Sequence, residues 1–370
     1  MLTSIALTIA AVSVGQLQFE RQTIADTHFE AASAFDVNKD GKLDIVSGEF
    51  WFPGPSFTER HKMCDVMPSG DYFDDFSDFP MDVNGDGYLD VVTGAWFGEK
   101  LEWRENPKGG KGLWALHEIA KVGNVERPAF WDIDGDGDLD IAPNTPGRPQ
   151  RIFRLAKGGG SFEQFAISQR PTGHGLGFGD LNGDGRGDLI VSDGWFEGPE
   201  KPFEQEWTFH EGPRLYDSAS VPILVYDVNG DKRNDIIVGA GHNYGLAWWE
   251  QGAPKDGTLT WTQHNIETER SQFHEMQLAD LDKDGMPELI TGKRWRAHPE
   301  GDPGVNDPVG LYYYEISGGK FVRHTLDYGP GEKFAGTGIY LWVEDIDGNG
   351  WKDIVAPGKG SLYVFWNKGK

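Results

Sequence analysis

The 370-residue chain has 34 Lys+Arg against 59 Asp+Glu, a formal net charge of −25, which excludes a partner held through a phosphate backbone, so no nucleic acid is expected. Its one cysteine, Cys64, excludes a disulfide scaffold and a Cys-rich zinc or iron–sulfur site. Hydrophobic residues at 38% and aromatics at 13% exclude a disordered chain.

In chain order, residues 1–15 (MLTSIALTIAAVSVG) are apolar and uncharged and end in small residues. They read as a signal peptide, with the mature chain starting near Gln16 and a periplasmic or secreted location. No other run reaches the ~20 apolar residues of a membrane-spanning helix, so no transmembrane segment is expected. LQFERQTI (17–24) then alternates as a strand does, ahead of anything it could pair with locally.

From residue 36 a nonapeptide recurs: DVNKDGKLD (36–44), DVNGDGYLD (82–90), DIDGDGDLD (132–140), DLNGDGRGD (180–188), DVNGDKRND (227–235), DLDKDGMPE (280–288) and DIDGNGWKD (345–353). The starts lie 46, 50, 48, 47, 53 and 65 residues apart. Around each copy four strands can be read: one before the loop (HGLGFGD), one after it (DLIVSDGWF), an aromatic third (LEWREN, LAWWEQ) and a fourth ahead of the next unit (LWALHEI, EWTFHEG). Four short strands at this period are a propeller blade. The expected fold is therefore all-β, one seven-bladed β-propeller over 16–370, with the orphan strand 17–24 completing the blade that ends the chain.

Within each nonapeptide, oxygen donors at positions 1, 3, 5 and 9, with a turn glycine at 6, describe a calcium loop. The candidate ligands are Asp36, Asn38, Asp40 and Asp44; Asp82, Asn84, Asp86 and Asp90; Asp132, Asp134, Asp136 and Asp140; Asp180, Asn182, Asp184 and Asp188; Asp227, Asn229, Asp231 and Asp235; Asp280, Asp282, Asp284 and Glu288; Asp345, Asp347, Asn349 and Asp353. Loops 1 to 4 fit best, whereas loop 5 places Lys232 where the turn wants Gly. The repeat resembles the FG-GAP/VCBS family, including the propeller of integrin α chains. That resemblance implies several structural Ca²⁺ ions at the blade hairpins, which leaves function to the opposite face.

The histidines sort by this frame. His61, His117, His210, His264 and His324 fall on the outermost strands, where packing explains them, and His28, His174, His242, His274 and His298 map to the face away from the loops. Six residues before each loop stand Glu30, Phe76, Glu126, His174, Val221, His274 and Ile339; fifteen after each loop start stand Trp51, Phe97, Gly147, Trp195, His242, Trp295 and Gly360. Glu49 and Asp193 lie two positions before Trp51 and Trp195, and Arg127 and Arg294 are close in sequence. His174, His274, Glu126 and His242 form an acid–base or metal-capable set. Trp51, Trp195, Trp295, Arg127, Arg294, Glu49, Asp193, Glu30 and His298 are the candidate substrate contacts, because aromatics mixed with charges suit a polyhydroxylated ligand, a small carbohydrate or a glycan. A further divalent metal at this mouth is compatible with the same residues.

The segment GHGLGFGDLNGDGRGD (173–188) with WFEGP (195–199) is similar to the propeller of the aldos-2-ulose dehydratases, which remove water from keto-sugars such as 1,5-anhydrofructose. The likeness implies a carbohydrate lyase, with His174 as the base that takes a proton α to the ketone. Two alternatives stay open, a non-catalytic glycan- or protein-binding propeller and a polysaccharide lyase or hydrolase. No Ser–His–Asp pattern or Walker loop is present in the sequence.

Overall fold

A computed structural model of the protein describes residues 16–296, 298 and 301–370. The expected signal peptide, 1–15, lies outside the described residues. Seven four-stranded antiparallel sheets form the seven blades of a β-propeller, and a two-stranded hairpin, Pro68–Ser69 with Tyr72–Phe73, stands apart from them. Each nonapeptide joins the innermost strand of its blade to the second. In blade 3, for example, Arg127–Trp131 pairs with Asp140–Asn144, followed outward by Pro149–Leu155 and Phe162–Pro171.

The second strands are uninterrupted apolar runs such as DIVS, DLIV and DIVA, and every residue of these is buried. Neighbouring blades cover both of their faces, so they lack the alternation of a half-exposed strand. The core is correspondingly divided between blades: Ile133, Ala142 and Ile152 of blade 3 pack with Leu189, Phe196 and Trp207 of blade 4.

The orphan strand closes the ring. Phe19–Ala25 pairs antiparallel with Leu362–Asn367, Phe19 opposite Asn367 and Glu20 opposite Trp366. The last blade is thus built from both ends of the described chain, which leaves its third strand without an open edge.

The closing residue of each nonapeptide fastens the hairpin. Asp44 accepts the backbone N–H of Val37 (3.0 Å) and of Gly54 (2.8 Å). Asp188 does the same with Leu181 and Gly198, and Asp353 with Ile346 and Asn367. At position 6 the backbone is left-handed in every loop, with φ of 82° at Gly41, 95° at Gly137 and 69° at Lys232. The turn strain expected at loop 5 is therefore present, since a Cβ is disfavoured in that conformation.

Candidate active site

Opposite the nonapeptide loops, insertions in several blades wall a cavity of about 410 Å³. It is lined by Tyr72, Phe76, Trp96, Phe97, Glu126, His174, Ser218, His242, Arg294, His298 and Asp302. Glu126 stands one residue and His174 two residues before the inner strands of blades 3 and 4, His274 is the second residue of the inner strand of blade 6, and His242 occupies the turn after the second strand of blade 5. Four ligand-capable atoms, from Glu126, His174, His242 and His274, lie within 4.8 Å of one another.

The imidazole orientations are set by their neighbours. His174 Nδ1 faces the carbonyl oxygen of Ala219 at 2.7 Å, and a carbonyl can only accept, so Nδ1 carries the proton. His242 Nδ1 faces the Asp302 carboxylate at 2.9 Å and is fixed in the same way. Both Nε2 atoms are then free lone pairs in the neutral rings, and they approach to 3.3 Å. Glu126 Oε1 lies 3.6 Å from His174 Nε2. Asp302 also accepts from His298 Nδ1 at 3.0 Å.

Behind this layer sits a buried charge network. Arg294 donates Nε to Glu30 Oε1 (3.0 Å), Nη2 to Glu30 Oε2 (3.3 Å) and Nη1 to Glu126 Oε1 (3.1 Å). His274, fully buried, donates Nε2–H to Glu126 at 2.9 Å. Burial works against a charged Glu126, but its interactions with His174 and His274 outweigh it and hold the carboxyl well below its usual range; with the imidazoles neutral, the His274 hydrogen bond and the Arg294 ion pair remain. Burial, reinforced by the Arg294 charge, pushes His274 well below the usual imidazole value, and burial with the nearby His174 lowers His242 to about 4. The cluster at neutral pH is thus an ionised Glu126 beside neutral His242 and His274.

The FG-GAP-like repeat family matches residues 82–142 and 227–291. The chain carries FG-GAP-like repeats. No curated protein matches it in sequence. Among solved structures it is similar to the biofilm matrix protein Bap1 of V. cholerae, with TM-score 0.49 and 9% identity over 95% of this chain and 91% of that one. It is also similar to rhamnogalacturonan lyase YesW, with TM-score 0.48 and 12% identity over 96% of this chain and 74% of that one.

On this FG-GAP-like propeller, the predicted His174, His242, His274, Glu126, Glu30, Arg294 and His298 come together. The predicted aromatic rim does not. Trp51 and Trp195 are buried in blade cores, Trp51 tilted against His61 and Trp195 stacked on His210, at ring-centroid distances of 4.6 and 4.3 Å. The reason is strand length: the second strands of blades 1 and 4 have four residues, so the fifteenth position falls on the third strand. In blades 2 and 5 those strands have six and five residues, and the same position, Phe97 or His242, reaches the turn at the mouth. Trp295 borders a separate cavity with His28, Arg296 and Lys359. Glu49 pairs with Lys62 (3.4 Å), Asp193 with Arg170, and Arg127 with Glu275 (2.9 Å) inside the central channel. Tyr72, Trp96 and Asp302 escaped the sequence reading. The only signal for Asp302 was the widest loop spacing, 65 residues, which accommodates the segment that carries it.

The nonapeptide loops fold with their carboxylates drawn inward. Asp36 and Asn38 accept the N–H of Asp40, and Asp36 also accepts that of Gly41. Three acidic groups converge in loops 3, 6 and 7, those with Asp rather than Asn at position 3: Asp132–Asp134–Asp136, Asp280–Asp282–Glu288 and Asp345–Asp347–Asp353. In loops 4 and 5 an arginine, Arg186 or Arg233, pairs with the fifth-position Asp184 or Asp231. Among the described residues no helix is long and apolar enough to cross a membrane.

Proposed function

We propose that the mouth cavity is the active site of a periplasmic or secreted carbohydrate lyase, one that takes a proton α to the carbonyl of a keto-sugar and eliminates the β-hydroxyl as water. The observation that carries this reading is the setting of His174. Its Nδ1–H is committed to Ala219, and its Nε2 lone pair sits in the cavity with two acceptors beside it, Glu126 Oε1 at 3.6 Å and His242 Nε2 at 3.3 Å. A proton taken on Nε2 is therefore stabilised where it arrives, which a general base requires. Tyr72, Trp96 and Phe97 supply faces on which a sugar ring can pack, and the polar wall supplies partners for its hydroxyls. Arg294 is fully engaged with Glu30 and Glu126, so it holds the carboxylates in place and does not contact substrate. The resemblance of 173–188 to the dehydratase propellers points to 1,5-anhydrofructose as the first substrate to try, and residues 1–15 are proposed as the export signal.

In the test, the protein is incubated with 1,5-anhydrofructose and the ultraviolet absorbance of an enone is followed. His174→Ala is expected to lose at least about 100-fold in kcat while its thermal melt stays close to wild type. Full activity in that variant overturns the assignment. Binding of sugars by the wild type with no turnover identifies a binding module instead.

A second reading rests on the same 3.3 Å approach of two lone pairs. Two imidazole nitrogens on one tetrahedral zinc at ~2.05 Å lie about 3.3 Å apart, and ligating histidines donate their other nitrogen to a carbonyl or carboxylate, as His174 and His242 do. His174, His242 and Glu126 would hold such a divalent metal, which polarises a substrate carbonyl. Loss of activity with a chelator that spares calcium, such as 1,10-phenanthroline, selects this reading. We also propose structural Ca²⁺ in the nonapeptide loops, with loop 5 the weakest because it combines Arg233 on the Asp231 carboxylate with a lysine at the left-handed turn position.

A further inference from the structure

Four segments far apart in the chain meet beside the mouth cavity and build a second, open cleft of about 240 Å³. Its lining includes His28, Asp71, Trp295, Arg296 and Lys359. A chain of polar contacts ties these segments together. His28 Nδ1 donates to the Lys359 carbonyl oxygen, which can only accept. Lys359 Nζ donates to the Arg296 carbonyl oxygen (2.9 Å), and Arg296 Nη2 donates to the Asp71 carboxylate (3.0 Å). His28 and Asp71 are exposed and the Arg296 side chain is 36% exposed, so a ligand reaches this chemistry directly from solvent.

The cleft is positive in a protein of net charge −25. Arg296 and Lys359 face one lining carboxylate, Asp71, whereas the mouth cavity sets Glu126 and Asp302 against Arg294. Glu30, 3.8 Å from Lys359 Nζ, is already held by Arg294. Among the described residues the Arg296 side chain donates to Asp71 alone, and both partners of that pair meet water, where an ion pair contributes little. A guanidinium has five N–H donors in a planar fork, which suits a further carboxylate. The Arg296 guanidinium lies 5.5 Å from the Trp295 ring centroid, so the charge is held beside an aromatic ring. The cleft and the mouth cavity share their walls. Segment 70–73 lends Tyr72 to the mouth and Asp71 and Phe73 to the cleft, and segment 294–298 lends Arg294 and His298 to the mouth and Trp295 and Arg296 to the cleft. Lys359 Nζ lies 3.8 Å from the Tyr72 ring centroid, so one aromatic ring forms the partition.

We propose that this cleft binds the carboxylate of a uronic acid, carried on the sugar unit next to the one in the mouth cavity, so that the ligand is an acidic oligosaccharide or polysaccharide. The proposal rests on the reading of the mouth cavity as a sugar site. Arg296 takes the carboxylate in its fork, Lys359 fixes the Arg296 backbone and adds positive charge, and Asp71 competes with the ligand for the guanidinium. The competition fixes a sign. Neutralising Asp71 tightens the binding of an acidic ligand, whereas a cleft in which the Asp71–Arg296 pair serves only to hold the segments together gains nothing from that change.

Isothermal titration calorimetry compares wild type, Arg296→Gln and Asp71→Asn on trigalacturonate, trimannuronate and a hyaluronan tetrasaccharide, each against its carboxyl-reduced counterpart. A sulfated neutral oligosaccharide, a carrageenan tetramer, separates a carboxylate from any anion. In wild type at least one acid is expected to bind about 10-fold or more tightly than its reduced counterpart, the effect of a hydrogen bond to a charged group. Arg296→Gln should bring that ratio within about twofold, with a thermal melt close to wild type, and Asp71→Asn should raise it by about threefold or more. Equal binding of acid and reduced oligomers by wild type, an undiminished ratio in Arg296→Gln, no gain in Asp71→Asn, or tighter binding of the sulfated oligomer overturns the uronate assignment. Turnover of 1,5-anhydrofructose by wild type is measured separately and decides the lyase reading: turnover without a carboxylate preference removes this proposal alone, and a preference without turnover removes the lyase alone.

Discussion

Arg294 shows how much a single buried side chain decides. It is 2% exposed and bridges Glu30 and Glu126, so it fixes the ionised Glu126 in place beside the three histidines. Arg294→Met should destabilise the protein by about 3–5 kcal/mol, because it takes the counter-charge from buried Glu126 and leaves Glu30 only Lys359 at 3.8 Å; chemical denaturation measures the loss. At the nonapeptide ends, burial raises the closing carboxylates despite their backbone hydrogen bonds, Asp44 and Asp188 to about 6 and Asp140 and Glu288 to about 7. In the calcium-free protein a raised carboxylate contributes stability that is full below its unfolded value near 4 and is lost as pH rises through 6 to 7. Calcium bound in the proposed loop sites would supply the positive charge that offsets this loss and would compete with the protons. The rise in melting temperature on adding calcium should therefore grow between pH 5 and 7.5, and a rise independent of pH in differential scanning fluorimetry contradicts calcium at these groups.

At the scale of elements, a strap recurs across the outer two strands of a blade. The aromatic Trp103, Trp195 or Trp248 of the third strand stacks on His117, His210 or His264 of the fourth. Each of those histidines hydrogen-bonds the glutamate two residues after the aromatic, at 2.9, 2.8 and 2.8 Å. In blades 2 and 5 that glutamate also accepts from the third residue of the nonapeptide, Asn84 or Asn229. Trp195→Ala should cost about 3–5 kcal/mol in stability with little effect on kcat of the folded protein, whereas Trp96→Ala should leave the melt near wild type and raise KM. The hairpin turns make a separate prediction. Lys232→Gly should stabilise by about 1 kcal/mol by relieving the left-handed lysine. Asp136→Ala should lower the melting temperature in calcium more than Asp231→Ala, whose carboxylate already has an arginine partner.

For the whole molecule, the ring is closed by hydrogen bonds between strand 19–25 and the last strand of the chain. Deleting residues 16–25 removes Leu17 and Phe19 from the core shared with Leu341, Ile354 and Phe365, and exposes a strand edge. The melting temperature should fall sharply, with a tendency to associate detectable by light scattering; an unchanged melt means that the closure contributes little. The cavity depends on the same closure, because Glu30 reaches Arg294 across a sequence separation of 264 residues.

The sequence by itself determined the blade count, the closing strand, the hairpin loops and the convergence of His174, His274, Glu126 and Glu30. These follow from period and position, and a repeat propagates both along the chain wherever the spacing to the loop is short. Tertiary structure alone decided the cavity wall. Trp51 and Trp195 failed as rim residues because a difference of one or two residues in strand length moves a side chain from the mouth to the blade core. Tyr72, Trp96 and Asp302 lie on connections that follow no period, and they meet the cluster only because the ring brings distant blades around one axis. The protonation of the cluster was equally beyond the sequence, since it depends on burial and on Arg294, Ala219 and Asp302 arriving from other blades.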